Sequence, residues 1–386
     1  MIYTISIDWL SVYCLYMPET PSPDDAAPAE EHRPDRYWVP AEYDAEDLFG
    51  AYPWRCKLEN FGTRQFSKLY RVAMPNEEGG WDDFAEVQAE PHANILVSNA
   101  IIVRFVNRTL YRHDFWELAN KFLTDNHFEF KNISRIDICA DFNQFRDRTP
   151  ISLIEDFAAK RLRHVGQGVG AMYFNHGIMP VDGNKAVRDY GVKYTGLSFG
   201  THKSDVRVYL YDKSFELLTQ GNKPWIVDRW NEIGLDITSV WRLEVSIKAK
   251  GCKFKDKITG KKVDISKDVA ADGDELAKIY HTFIQKRFAF VRNRKKITNI
   301  TREPRIQLFD LHPVYAHKAI RNVSGGNRME KILIKALYQL GDLYRGGEVR
   351  DDALLAQQFA YDLANSCDLS RWMGNKITEW DKPTHK

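Results

Sequence analysis

Val206-Arg207-Val208-Tyr209-Leu210-Tyr211-Asp212-Lys213 is the segment of this chain whose residue types and spacing best suit chemistry. Side chains alternate along an extended chain, so a strand here sets Arg207, Tyr209, Tyr211 and Lys213 on one face and Val208 and Leu210 on the other. A phenol is then held between fixed cations. A buried strand face is ordinarily apolar, and an exposed one rarely gathers two tyrosines flanked by positive charge. A tyrosine so placed can be a nucleophile rather than packing.

Two further segments carry the same kind of pattern. From Arg135 to Phe142, alternation puts Arg135, Asp137, Cys139 and Asp141 together, and between Val240 and Lys250 it does the same for Arg242, Glu244, Ser246 and Lys248. Clustered charges on rigid strands need counter-charges or a ligand. Asp137, Asp141 and Glu244 are hard oxygen donors suited to Mg²⁺ or Mn²⁺. A divalent cation beside a tyrosine suggests transesterification on a phosphodiester, in which the metal offsets charge on the phosphate while the phenolic oxygen attacks in line. A phenol has a reference pKa of about 10, and Lys213 could help by favouring phenolate. The product would be a covalent DNA-tyrosine ester and a free hydroxyl end. The plain alternative is structural: Asp137 and Asp141 pair with Arg135 and Arg242 across strands, and Tyr209 and Tyr211 are half-buried strand aromatics. The two phenols share a face, so the choice between them stays open. Neither a Gly-x-x-x-x-Gly-Lys loop nor a His-x-His pair is present, which disfavours a P-loop ATPase and a histidine-metal nickase.

The elements that must position these residues can be read from periodicity. A first strand covers Tyr3 to Leu15, with extended segments near Phe66-Ala73 and Ile95-Phe105. A helix follows with Phe115, Leu118, Ala119, Phe122 and Leu123 on one side and Asp114 as N-cap, then a strand from Ile133 to Phe142. Further on, the pattern predicts a helix over Ile151–Leu162, a loop from Val165 to Gly170, and strands at Tyr194-Phe199 and Val206-Lys213 joined as a hairpin through Gly200-Thr201-His202-Lys203-Ser204-Asp205. A helical region around Trp225-Asn231, a strand from Val240 to Lys250, a helix from Asp274 to Gln285 and a strand from Arg287 to Arg292 complete the body. The expected class is α+β, with antiparallel-rich sheets covered by helices on one face. Arg135-Ile136-Asp137-Ile138 and Arg242-Leu243-Glu244-Val245 echo one another, which suggests two related halves, 1–148 and 149–305, within a body of 1–305.

Length and composition agree: 386 residues with 44% hydrophobic content support sizeable cores. The start lacks the basic and apolar regions of a signal peptide and no long apolar run exists, so a cytoplasmic protein, bacterial by the resemblance below, with no membrane partner is expected. The five cysteines are scattered without a Cys-x-x-Cys pair, which argues against a disulfide framework. Net charge is only +2, but its distribution is uneven. Residues 21–50 form an acidic, proline-interrupted loop insertion. Lys253 to Lys262 and Lys286 to Arg305 are basic, and a polyanion would bind there, with Arg292, Arg294, Lys295 and Lys296 as contacts. Residues 306–386 carry an amphipathic helical pattern, with Ile332, Leu333, Ala336, Leu337 and Leu340 on one face.

Five blocks in order, Ile7-Asp8-Trp9-Leu10, Ser134 to Asp141, Ser198 to Ser204, Val208 to Lys213 and Trp241-Arg242-Leu243-Glu244, resemble the plasmid rolling-circle replication initiation factors, a family that includes relaxases of mobile elements. The resemblance spans roughly Tyr3 to Lys250. It implies a sequence-specific DNA nickase acting at a replication or transfer origin, holding the 5′ phosphate on tyrosine and leaving a 3′ hydroxyl. By position, the nucleophile falls on Tyr211, with Tyr209 in reserve, the lysine on Lys213, and the acidic positions on Asp137, Asp141 and Glu244. Expected DNA contacts include Arg207, Lys203, His202, Arg135, Arg242 and Lys248. A host helicase and a second copy of the chain join DNA as expected partners. The block Gly200-Thr201-His202 departs from the family's usual Gly-Ser-Arg. Rival readings are a non-catalytic DNA-binding or copy-control protein on the same scaffold and, less well supported, an RNA-binding module.

Overall fold

The computed structural model describes residues 1–17, 54–92, 96–166, 171–175, 194–201, 203–221, 223–294 and 303–319, all within one unit, Met1–Ala319. The acidic segment 21–50, the helical pattern beyond residue 329, His202, Lys295 and Lys296 lie outside them. The strands are β1 Tyr3–Tyr16, β2 Arg55–Leu58, β3 Phe66–Pro75, β4 Trp81–Pro91, β5 Ala100–Phe105, β6 Phe128–Phe142, β7 Leu162–His164, β8 Ala171–Asn175, β9 Tyr194–Phe199, β10 Val206–Asp212, β11 Trp241–Lys248, β12 Lys253–Asp256, β13 Lys262–Asp264, β14 Phe290–Arg292 and β15 His317–Ala319. The helices are α1 Asn107–Leu110, α2 Phe115–Asp125, α3 Pro150–Ala158, α4 Lys213–Gln220, α5 Pro224–Ile233, α6 Lys267–Ala271 and α7 Gly273–Arg287.

Ten strands form one sheet in the order β2-β3-β4-β5-β1-β6-β11-β10-β9-β8, and every neighbouring pair is antiparallel. This is the α+β, antiparallel arrangement expected. Alternation gives the sheet one apolar face. Leu210, Leu243 and Ala140 stand in register across three strands, as do Val208, Val245 and Ile138, and all six are fully buried. Helices close over this face: the Tyr280 hydroxyl of α7 donates to Leu243 O at 3.0 Å, and Phe115 of α2 packs edge-on against Phe105 with centroids 5.1 Å apart. An antiparallel sheet covered once leaves its other face for polar groups.

The two echoing segments lie on adjacent strands with Ile138 directly opposite Val245. A half-turn about that pair carries Arg135 onto Arg242 and Asp137 onto Glu244.

Several boundaries differ from expectation. Lys213 does not extend β10, because Asp212 turns the chain: its Oδ1 accepts from Phe215 N at 2.9 Å and caps α4. α3 stops at Ala158, and Leu162 to His164 pair with β14. Arg287 closes α7 instead of opening a strand. Asp114 stands at the start of α2 but does not cap it, since both its oxygens accept from Arg112 at 2.8 and 2.7 Å. β2 and β4 were not anticipated; acidic Asp82, Asp83, Glu86 and Glu90 dilute the pattern of β4. Cys14, Cys139 and Cys252 are buried. No helix among the described residues is long and apolar enough to cross a membrane.

Candidate active site

Strands β1, β6, β11 and β10 lie side by side, and their register sorts the polar side chains into rows. One row holds Thr4, Asp141, Arg242 and Tyr211, the next Ser6, Cys139, Glu244 and Tyr209, and the third Trp9, Asp137, Ser246 and Arg207. The Tyr211 hydroxyl donates to Glu244 Oε2 at 3.1 Å, a diagonal contact between neighbouring strands that long side chains can make. Tyr211 is therefore turned toward an acid on the polar face, not toward the core.

The carboxylates differ sharply in their partners. Asp141 is buried and accepts from Arg242 Nε at 2.6 Å, from a second Arg242 nitrogen at 2.7 Å and from Trp230 Nε1 at 2.8 Å. Asp137 accepts a guanidinium fork from Arg135 at 2.9 and 2.5 Å. Asp8 is the extra residue of a bulge between Ile7 and Trp9, which aims it at the site. It accepts from Arg242, and from Asn107 Nδ2 at 3.0 Å. Among the described residues, no arginine or lysine forms an ion pair with Glu244.

Electrostatics follow from those partners. Burial, then the charges of Asp137 and Asp8, push the Glu244 carboxyl up to about 8. Burial acts to raise Asp8 as well, but Arg242, Lys213 and the Asn107 hydrogen bond outweigh it and hold that carboxyl at about 2. Burial, with Glu244 adding to it, raises the Tyr211 phenol well above 10. Tyr209 is raised by burial against the pull of Arg207, whose guanidinium carbon lies 3.9 Å from the ring centroid. Both phenols rest protonated at neutral pH, and a proton acceptor must take part in any attack.

Not every predicted residue serves as expected. Lys213 is buried, ion-paired to Glu216 and lowered first by burial and then by Arg242. Its ammonium nitrogen lies 5.5 Å from the Tyr211 ring centroid, and burial of the phenol overrides any phenolate preference it confers. Arg242 is 0% exposed and engaged by Asp141, Asp8 and Tyr111, so it presents nothing to a DNA phosphate. Arg207 is buried against Tyr209, whereas Lys203 and Lys248 are exposed. Arg292 and Arg294 are exposed too, but on the helix-covered side. There Phe290 of β14 packs against Phe199, which stands opposite Val208 of the apolar face.

The predicted Mg²⁺ or Mn²⁺ ligands are likewise not assembled. Asp137, Asp141 and Glu244 each have other partners, and among the described residues no three His, Cys, Asp or Glu side chains converge so as to hold a metal ion. With guanidinium groups already on Asp141 and Asp137, this donor set does not fit a divalent cation as it stands.

Asp8, Asn107, Tyr111, Trp230 and Glu216 were not assigned roles from sequence. Asp8 had a signal, since Asp8-Trp9 breaks the alternation of its strand. Tyr111 ends α1 and Trp230 lies on α5, within the predicted helical region, and neither had a sequence signal for this contact.

No family model matches the sequence, and no curated protein matches it either. Among solved structures the chain is similar to a rolling circle replication initiator protein from Geobacillus stearothermophilus, with 14% identity and a TM-score of 0.41 over 79% of this chain and 93% of that one.

Proposed function

We propose that the chain is a DNA nickase and strand transferase of a plasmid or mobile element, with Tyr211 as nucleophile and Glu244 as its proton acceptor. One observation carries this: the Tyr211 hydroxyl donates to a carboxylate that, unlike Asp8, Asp137 and Asp141, has no ion-pair partner among the described residues. The order of the five sequence blocks supports the same reading. In the step, the Tyr211 oxygen bonds to a backbone phosphorus as the bond to the 3′ oxygen breaks. Glu244, ionised, receives the phenolic proton, and the leaving 3′ oxygen is protonated from solvent. A 5′-phosphotyrosine and a 3′ hydroxyl result. General base catalysis of this kind is worth about 10²–10⁴ in rate. Were Mg²⁺ or Mn²⁺ to accompany the DNA, its chemistry would be to offset charge on the phosphate.

The test is incubation of the full chain with supercoiled DNA carrying its own element's origin, with and without Mn²⁺. Open circles with protein on the 5′ end are expected from the unaltered chain and from Tyr209→Phe, and none from Tyr211→Phe. Undiminished nicking by Tyr211→Phe would reject the assignment. The guanidinium groups on Asp137 and Asp141 favour a second reading, a non-catalytic DNA-binding or copy-control protein. It predicts salt-dependent binding with no covalent adduct.

A further inference from the structure

The row beyond Asp137 and Ser246 is basic and open. Arg104 of β5, Ser11 of β1, Arg135 of β6 and Lys248 of β11 stand in register. Over this row lies Trp9. Its indole nitrogen donates to Ser11 Oγ at 2.8 Å, and the guanidinium carbons of Arg104 and Arg135, one from each flanking strand, sit 4.7 and 4.6 Å from its ring centroid. Each arginine has one ion-pair partner among the described residues, Glu86 for Arg104 and Asp137 for Arg135. An arginine has five N–H donors, and the Asp137 fork uses two of those on Arg135. The two side chains stay 31% and 39% exposed. The opposite end of the polar face, by contrast, is closed by Tyr111 and Trp230, which donate to Arg242's partners.

We infer that this row is a track for single-stranded DNA, and that Trp9 is a positioning residue that holds Arg104 and Arg135 over the sheet to grip successive phosphates. The inference rests on the nickase reading of Tyr211 and extends its site. Lys248 lies six positions along β11 from Arg242, the strand neighbour of Tyr211, about 20 Å in an extended strand. A strand leaving the phenol passes Tyr209 and Arg207 before it reaches the row. Partly exposed rings set among cations are what single-strand binders use, because unstacked bases can lie on rings while cations follow the backbone. A duplex keeps its bases stacked inside and gains little from those rings.

Fluorescence anisotropy of the full chain with a labelled single-stranded oligonucleotide, and with the same sequence as duplex, tests this. Trp9→Leu should weaken single-strand binding about tenfold while duplex binding changes less than about twofold. Arg104→Gln, at a partly exposed position, should lower the single-strand salt slope by about 0.7. Trp9→Phe, which keeps a ring between the arginines, should restore most of the affinity. At saturating oligonucleotide, both Trp9→Leu and Arg104→Gln should still form the Tyr211 adduct, which keeps failure of the track separate from failure of the nucleophile. Unchanged single-strand binding by Arg104→Gln and Trp9→Leu, or equal losses for duplex and single strand, would overturn the inference.

Discussion

Glu244→Gln should make the protein more stable at alkaline pH, by an amount that grows as pH rises. Glu244 carries its proton up to about 8 in the folded chain, against an ordinary value of 4.5. Between those values the folded state binds more protons than the unfolded state, so stability falls as pH rises through the window and levels off above it. Each unit is worth about 1.4 kcal/mol, and the whole gap from 4.5 to about 8 amounts to about 5 kcal/mol. Glutamine keeps the shape and the acceptor oxygen for the Tyr211 hydroxyl but never ionises, so its repulsion with Asp137 and Asp8 disappears. Urea unfolding of both proteins at several values between about pH 5 and about pH 8.5 reads this directly. The variant should gain on the parent steadily across the window and lose the nicking activity that depends on an ionised base. Parallel stability curves, with no gap opening as pH rises, would refute the crowding of carboxylates on which the proton-acceptor role of Glu244 rests.

Two more outcomes follow from the buried network. Arg242→Ala leaves Asp141 buried without its guanidinium partner, and should cost about 3–5 kcal/mol in chemical denaturation; a loss under about 1 kcal/mol would mean that the fork with Asp141 contributes little. Asp8→Asn should flatten the acid limb of stability. Asp8 is held at about 2 instead of 3.8, so it contributes about 2 kcal/mol above that range, lost as pH falls through about 2; an acid limb identical to the parent's would contradict it.

Much of the scaffold was legible because period-two patterning and burial coincide. β10 and β11 alternate strictly, and so does β6 over Arg135 to Phe142, so the side chains on the polar face could be named before any coordinates. What each does there was not legible. Arg135 and Arg242 look alike in sequence, yet one lies on the open row and the other is sealed under Tyr111, at the end of α1, and Trp230, on α5. Lys213 was misplaced because Asp212 caps a helix, and a capping aspartate inside a strand-like run is hidden by the alternation around it. Asp137, Asp141 and Glu244 stand on the polar face as alternation places them, but partner choice among nearby guanidinium groups depends on side-chain packing that spacing does not encode.

The half-turn relating the two echoing strands is broken at one point. Arg135 reaches forward to the acid two residues along its own strand, whereas Arg242, placed equivalently, turns across to Asp141 and the bulged Asp8. Of two matched acids, one thereby holds a guanidinium fork and the other has no ion-pair partner among the described residues. A single diverted arginine thus converts an otherwise repeated pattern into a pair of unlike groups, and it is the deserted one that receives the hydrogen bond of a phenol.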